Sequence, residues 1–179
     1  MPFPVAHALI GAGIFLSIQK VTCLREHQRA IAVCAFISVL PDADFAFSWF
    51  FHLSGWHRGF THSFVFGVGS GFLGTLILGA TALRVRLGIL ITSISHGVLD
   101  ALVTTNYGTG IELLWPASNQ RFKFGFVDYF SFKLDPRFDP LMDIFLHILK
   151  VSLIELVVLG PLFVALLLLK RDTSLITSR

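Results

Sequence analysis

The sequence predicts an all-α membrane protein, a single domain over residues 1–179 built as a bundle of about five transmembrane helices. Three observations carry that expectation. Of the 179 residues, 54% are hydrophobic and only 14% charged, and the mean hydropathy is +0.76, far from the composition of a soluble domain. The apolar residues fall into five continuous runs of roughly 20 residues, the length that crosses a hydrocarbon core. Basic residues collect between alternate runs, as they do where short loops stay on the cytoplasmic side.

The first run, 3–19, has no basic residue ahead of it and no small-residue cleavage pattern behind it, so it reads as a retained span and not as a removed signal peptide. The second, 28–53, contains Pro41, which disfavours a continuous helix and frees local backbone for a turn. The third, 61–83, opens in HRGFTHS with Thr61 as its expected cap. The fourth, 87–105, rises from Arg84 and Arg86, and the fifth, 143–169, ends at Lys170 and Arg171. Lys20, Arg25 and Arg29 fill the first loop, and Arg179 joins the tail. Placing these basic segments inside puts the N-terminus, the loop around His57 and the long loop 106–142 outside.

A net charge of +3 and a pI near 9.1 do not make a nucleic-acid surface, because the basic residues form no stripe interleaved with aromatics. Cys23 and Cys34 imply neither a disulfide framework nor a thiolate metal site.

The polar groups are more informative. His7, Asp42 and Asp44 in LPDAD, His57 and His62 in WHRGFTHS, and His96 and Asp100 in SHGVLD all fall at one end of the apolar runs. An ionised carboxylate at the centre of a span costs roughly 2.5–3.5 kcal/mol, so such a gathering implies mutual satisfaction or function. In the expected topology four helices deliver these side chains to a common outer layer. His96 and Asp100, four residues apart, share one helix face with about 6 Å of rise between them. Asp42 and Asp44 share no face in a regular helix, but in an irregular segment after proline they can aim at one metal or at two neighbouring ones.

Imidazole and carboxylate ligands suit zinc, with manganese and iron as alternatives, and one or two ions are expected. A bound metal brings the pKa of a coordinated water to about 7. Asp42, Asp44 and His62 are the residues expected to carry catalysis, one carboxylate orienting the water. Arg58, Arg121 and Lys123 are candidates for an anionic substrate group, against ordinary interfacial anchoring by snorkelling side chains. Trp49, Trp56 and Trp115 read as interfacial belt residues. His27 reads as a solvated loop side chain, His52 as a weaker ligand candidate, and Asp143 with His147 as a pair able to complete a second metal site. Glu155 and Lys150 read as interhelical polar contacts.

Taken together, LPDAD, HRGFTHS, SHGVLDALVTTNYGTGIELLWPASNQRFKFG and DPLMD resemble the LexA-regulated, membrane-bound metal-dependent hydrolase family, also called YdjM-like. The resemblance runs from His7 to about Asp143. It implies an inner-membrane, multi-pass hydrolase and carries a metal role onto His7, Asp42, Asp44, His57, His62, His96 and Asp100. The HxxxD of His96 and Asp100 is also similar to zinc-dependent phospholipase C, at a greater distance.

The functional expectation is a metal-dependent hydrolase whose site lies at the outer face and whose partner is a lipid or other amphiphile carrying a phosphoester. The alternative is a metal-handling or transport protein without hydrolytic activity, for which the absence of an internal duplication is unfavourable. A third reading, polar groups that merely knit helices together at about 0.6 kcal/mol each, leaves seven metal-competent side chains in one layer without a reason.

Overall fold

The computed structural model describes residues 4–19, 24–45, 50–51, 57–103, 110–125 and 140–176. Within them run five α-helices: α1 (Pro4–Ile18), α2 (Leu24–Val39), α3 (Phe64–Ile77), α4 (Leu83–Val103) and α5 (Leu141–Ile176). Short 3₁₀ turns occupy Leu40–Ala43 and Phe60–His62. The fold is all-α, its described extended pairing limited to an antiparallel bridge between Ile111 and Phe122. Trp49, His52, Trp56, Cys23, the stretch 126–139 of the expected outer loop, Lys20 and Arg179 lie outside the described residues.

The five helices differ in length and apolarity. Among the described residues two are long and apolar enough to cross a membrane, Leu83–Val103 and Met142–Lys170, while α1 and α3 are apolar but shorter. The run expected as a span over 28–53 behaves differently: α2 begins at Leu24, in the charged stretch LREHQR, and stops at Val39. Pro41 is the reason. It lacks the N–H that the next helical bond requires, and the chain tightens into the Leu40–Ala43 turn, with Asp44 closing it by donating its N–H to the carbonyls of Asp42 and Pro41.

Helix α4 is the hub, packed against α1, α2 and α3, while α5 lies along α1. The α3–α4 seam is made of small residues. A methyl at Gly67 or Gly71 would meet the Cα of Ile94 or Leu90 at 3.1 Å, and Ser70 and Ser93 join hydroxyl to hydroxyl at 2.6 Å. The large apolar side chains point the other way: Phe72, Leu73, Leu76 and Ile77 on α3 and Val157, Leu162 and Leu169 on α5 are exposed. Small and polar inside with large and apolar outside is the reverse of a water-soluble core, and it is what lipid-facing helices require, since packing in lipid rests on close approach and interhelical hydrogen bonds. Apolar packing inside the bundle is concentrated around Phe15, Cys34, Ile37 and Ile89, two turns along α1 and α4 from His7 and His96.

Two caps set the helix ends that matter here. Ser63, and not Thr61, caps α3, its hydroxyl accepting from the Phe66 N–H at 3.2 Å. Pro4 opens α1, and the fully buried Glu155 of α5 accepts the Ala6 N–H at 3.0 Å, placing a carboxylate on the positive end of α1. The interhelical contact expected of Glu155 is present, and it fixes α5 beside the residue that precedes His7. Glu155→Leu leaves the Ala6 N–H buried without its acceptor and is expected to cost about 1–3 kcal/mol, read as a lower unfolding temperature in detergent, with Glu155→Gln recovering most of the loss.

Candidate metal centre

Four separate segments converge at the end of the bundle formed by the start of α1, the turn after α2, the turn before α3 and the second half of α4. The Leu40–Ala43 turn carries Asp42, the Phe60–His62 turn carries His62, and α4 carries His96 and Asp100 on one face. One ligand atom from each of Asp42, His62, His96 and Asp100 lies within 4.8 Å of all the others. The four histidine–aspartate separations are tighter: His62 Nε2 is 3.5 Å from Asp100 Oδ2 and 3.6 Å from Asp42 Oδ1, and His96 Nε2 is 3.6 Å from Asp42 Oδ1 and 4.0 Å from Asp100 Oδ2.

Those spacings fit a cation. Donors around a four-coordinate ion with bonds of about 2.0–2.2 Å stand about 3.3–3.6 Å apart, too far to hydrogen-bond one another and close enough to share one ion. Asp42 Oδ1, His62 Nε2 and His96 Nε2 are buried and have no hydrogen-bond partner. Each such orphan is costly in isolation, and all three face the same point. Two carboxylates and two neutral imidazoles also balance a divalent charge, so the assembly with an ion bears no net charge into its low-dielectric surroundings. Among the described residues this is the one group in which three or more histidine, cysteine, aspartate or glutamate donors converge.

The outer nitrogens of both imidazoles are held so that the inner ones face the centre. His96 Nδ1 donates to the Ser38 carbonyl at 2.6 Å. His62 Nδ1 lies 3.0 Å from Thr61 Oγ1, and that hydroxyl donates to Asp44 Oδ2. With each Nδ1 carrying the proton, each Nε2 presents a lone pair, the tautomer a metal ligand needs. Backbone shape makes this possible at two positions. Arg58 adopts φ 69°, the left-handed region uncommon for a residue with a side chain, and reverses the chain ahead of the Phe60–His62 turn. Gly97 lets that turn lie directly on α4: a methyl there would stand 2.2 Å from the His62 carbonyl oxygen. From the opposite side the 110–125 segment holds the turn, Glu112 N–H donating to the Arg58 carbonyl at 3.1 Å and Leu113 accepting from Phe64 N–H at 3.0 Å.

The other expected site residues lie one step out. His7 Nε2 donates to Asp100 Oδ1 at 3.2 Å, and its ring stacks on His96 with centroids 3.9 Å apart. Asp44 and His57 pair with each other at 2.6 Å, so the two carboxylates of LPDAD diverge, Asp42 to the donor group and Asp44 to the 57–61 turn. Arg58 is buried and donates its backbone N–H to Asp44 Oδ2 at 3.3 Å. Arg121 pairs with Glu112 at 2.7 Å, and Lys123 is exposed. Asp143 is exposed at the start of α5 with His147 one turn on, apart from the four-donor group. Side-chain exposure rises from 0% at His62, His96 and Asp100 to 12% at Asp42 and 23% at His57, so the least buried residues of this cluster lie on or beside the two turns.

Three contributors were not legible in the sequence: the Ser38 carbonyl, the Thr61 hydroxyl and Gly97. None is a metal-ligand residue type, and each acts through a contact between segments distant along the chain.

Comparison with known proteins finds inner membrane proteins. The profile of the YdjM inner membrane protein family matches residues 1–173. The chain is 32% identical over 129 residues to the inner membrane protein YbcI of Escherichia coli (strain K12), an alignment covering 68% of this chain and 72% of that protein. No solved structure matches it. A match across nearly the whole length means that the chain belongs to the YdjM inner membrane protein family.

Proposed function

We propose that this protein is a membrane-bound hydrolase dependent on a divalent metal, zinc first and manganese or iron as alternatives, that cleaves a phosphoester of a lipid or other amphiphile. The observation that carries the reading is the convergence of Asp42, His62, His96 and Asp100 with three buried, unpartnered ligand atoms facing one point. A bound ion supplies Lewis acidity and a water acidic enough to serve as nucleophile near neutral pH. Asp42, the member of the group with solvent access, is the residue positioned to hold that water. Asp100 and His96, fully buried, anchor the centre. The guanidinium of Arg58, on the segment that leads into the Phe60–His62 turn, is the cation that favours an anionic group.

The topology that accompanies this reading is five crossings, with α2 and α3 extended by the 3₁₀ turns beside them, the N-terminus outside and the centre at the outer face. An amphiphile then enters from the headgroup layer on the side of the Leu40–Ala43 and Phe60–His62 turns. Four protein donors also suit a closed site, so metal binding and turnover must be measured separately.

Purified wild type is expected to hold about one divalent ion per chain and to release phosphate or a phosphorylated headgroup from a phospholipid or lipid phosphate, with Asp42→Ala and His96→Ala losing both. Turnover that persists after chelation would defeat the hydrolase reading. Retained metal with no turnover on such lipids, together with metal flux into sealed vesicles, would select the metal-handling alternative.

A further inference from the structure

The Asp44 carboxylate joins two turns and is not among the four donors that converge. It is buried and receives three donors from the 57–61 turn: His57 Nδ1 at 2.6 Å, the Arg58 backbone N–H at 3.3 Å and the Thr61 hydroxyl. The Thr61 oxygen in turn stands 3.0 Å from His62 Nδ1, while Asp44 Oδ2 itself is 3.6 Å from that nitrogen, beyond a direct bond. A carboxylate has about four lone-pair positions, and three of Asp44's are taken by these groups.

We propose, building on the metal-centre reading above, that Asp44 and Thr61 are positioning residues that set the tautomer and heading of His62, and that Asp44 is not a ligand. Thr61 Oγ1 accepts a hydrogen bond from His62 Nδ1–H and donates its own hydroxyl to Asp44. That chain leaves His62 Nε2 as the lone-pair donor. Asp44 performs a second task through the same contacts, because it belongs to the turn that carries Asp42 and grips the turn that carries His62. Two of the four donors, each on a short segment with little helical support, are thereby held in one register. His96 needs no such device, since α4 and the Ser38 carbonyl already fix it.

Cobalt(II) titration of the purified protein, followed by its visible ligand-field absorption, tests this. Thr61→Val, close in shape but without the hydroxyl, and Asp44→Asn are each expected to weaken cobalt binding about 10- to 100-fold, the usual effect of losing an outer partner of a ligand. Bound spectra and stoichiometry should match wild type, because the ligand set is unchanged. The double variant should be no weaker than the worse single one, since both act through one chain of contacts, and Thr61→Ser should restore near-normal affinity. An altered spectrum or lost stoichiometry in Asp44→Asn would make Asp44 a ligand and overturn the proposal, as would unchanged affinity in Thr61→Val or multiplying losses in the double variant. Should Asp44→Asn fail to fold by circular dichroism, the Thr61→Val and Thr61→Ser pair still decides. Wild type that takes up neither cobalt nor zinc would remove the metal-centre reading itself, a different failure from any of these.

Discussion

Asp100→Ala is expected to abolish stoichiometric metal binding, with affinity falling well beyond 100-fold, since loss of an outer partner alone costs 10- to 100-fold. Asp100 is fully buried and serves two directions: Oδ1 accepts from His7 at 3.2 Å and Oδ2 faces His62 and His96 at 3.5 and 4.0 Å. Its removal takes away a donor, leaves the buried His7 without its partner and strips half of the negative charge that balances a divalent ion. Breaking a buried charged contact from one side costs about 3–5 kcal/mol, so the thermal unfolding temperature in detergent should fall as well. Asp100→Asn separates the effects, because the amide keeps an oxygen and the approximate shape but not the charge: it should recover stability more than metal affinity. Metal content by elemental analysis, beside a melting curve for each variant, provides both readings. Full metal occupancy in Asp100→Ala would mean that the four-donor group is not the binding site.

Gly97→Ala is the second large effect, at a position that carries no chemistry of its own. The added methyl would meet the His62 carbonyl oxygen at 2.2 Å and both the carbonyl carbon and Leu113 Cδ2 at 3.2 Å. Backbone cannot rotate away as a side chain can, so the Phe60–His62 turn must lift off α4 and take His62 with it. Overpacking of this kind costs about 1–3 kcal/mol, offset in part by the better helix propensity of alanine, worth up to about 1 kcal/mol. The net change in stability is therefore modest, while the loss at the site is large: metal affinity is expected to drop at least tenfold and turnover with it. Gly69→Ala is the control, because nothing lies within 4 Å of a methyl there. It should bind metal as wild type does and unfold at the same or a higher temperature. Equal behaviour of the two alanine variants would remove Gly97 from any role in placing His62.

The division between what was legible and what was not follows from the range of the interactions. Leu83–Val103 and Met142–Lys170 are apolar enough over enough residues to announce themselves, and an i,i+4 spacing places His96 and Asp100 on one face wherever α4 ends. Within the run 28–53 the proline visible in the sequence marks where the hydrogen-bond ladder of α2 is broken, just after Val39, a local event that hydropathy averaged over a window does not register. Thr61 illustrates the same limit at the scale of one side chain. As a threonine ahead of an apolar run it matches a cap, but Ser63 takes that place and the Thr61 hydroxyl turns to Asp44.

From the chain alone come the all-α membrane character, the histidines and aspartates at one end of the apolar runs and the metal chemistry they suggest, because composition, periodicity and residue type are local properties. Which of those seven residues face one another was decided only by the tertiary structure. Asp42, His62, His96 and Asp100 meet because a proline-bounded turn, a left-handed Arg58 and a glycine on α4 bring three segments within 4.8 Å, while His7 falls one hydrogen bond further out and Asp44 and His57 lie beyond Thr61. Convergence of this kind depends on packing between residues 20 to 90 positions apart, and no pattern within a single segment encodes it.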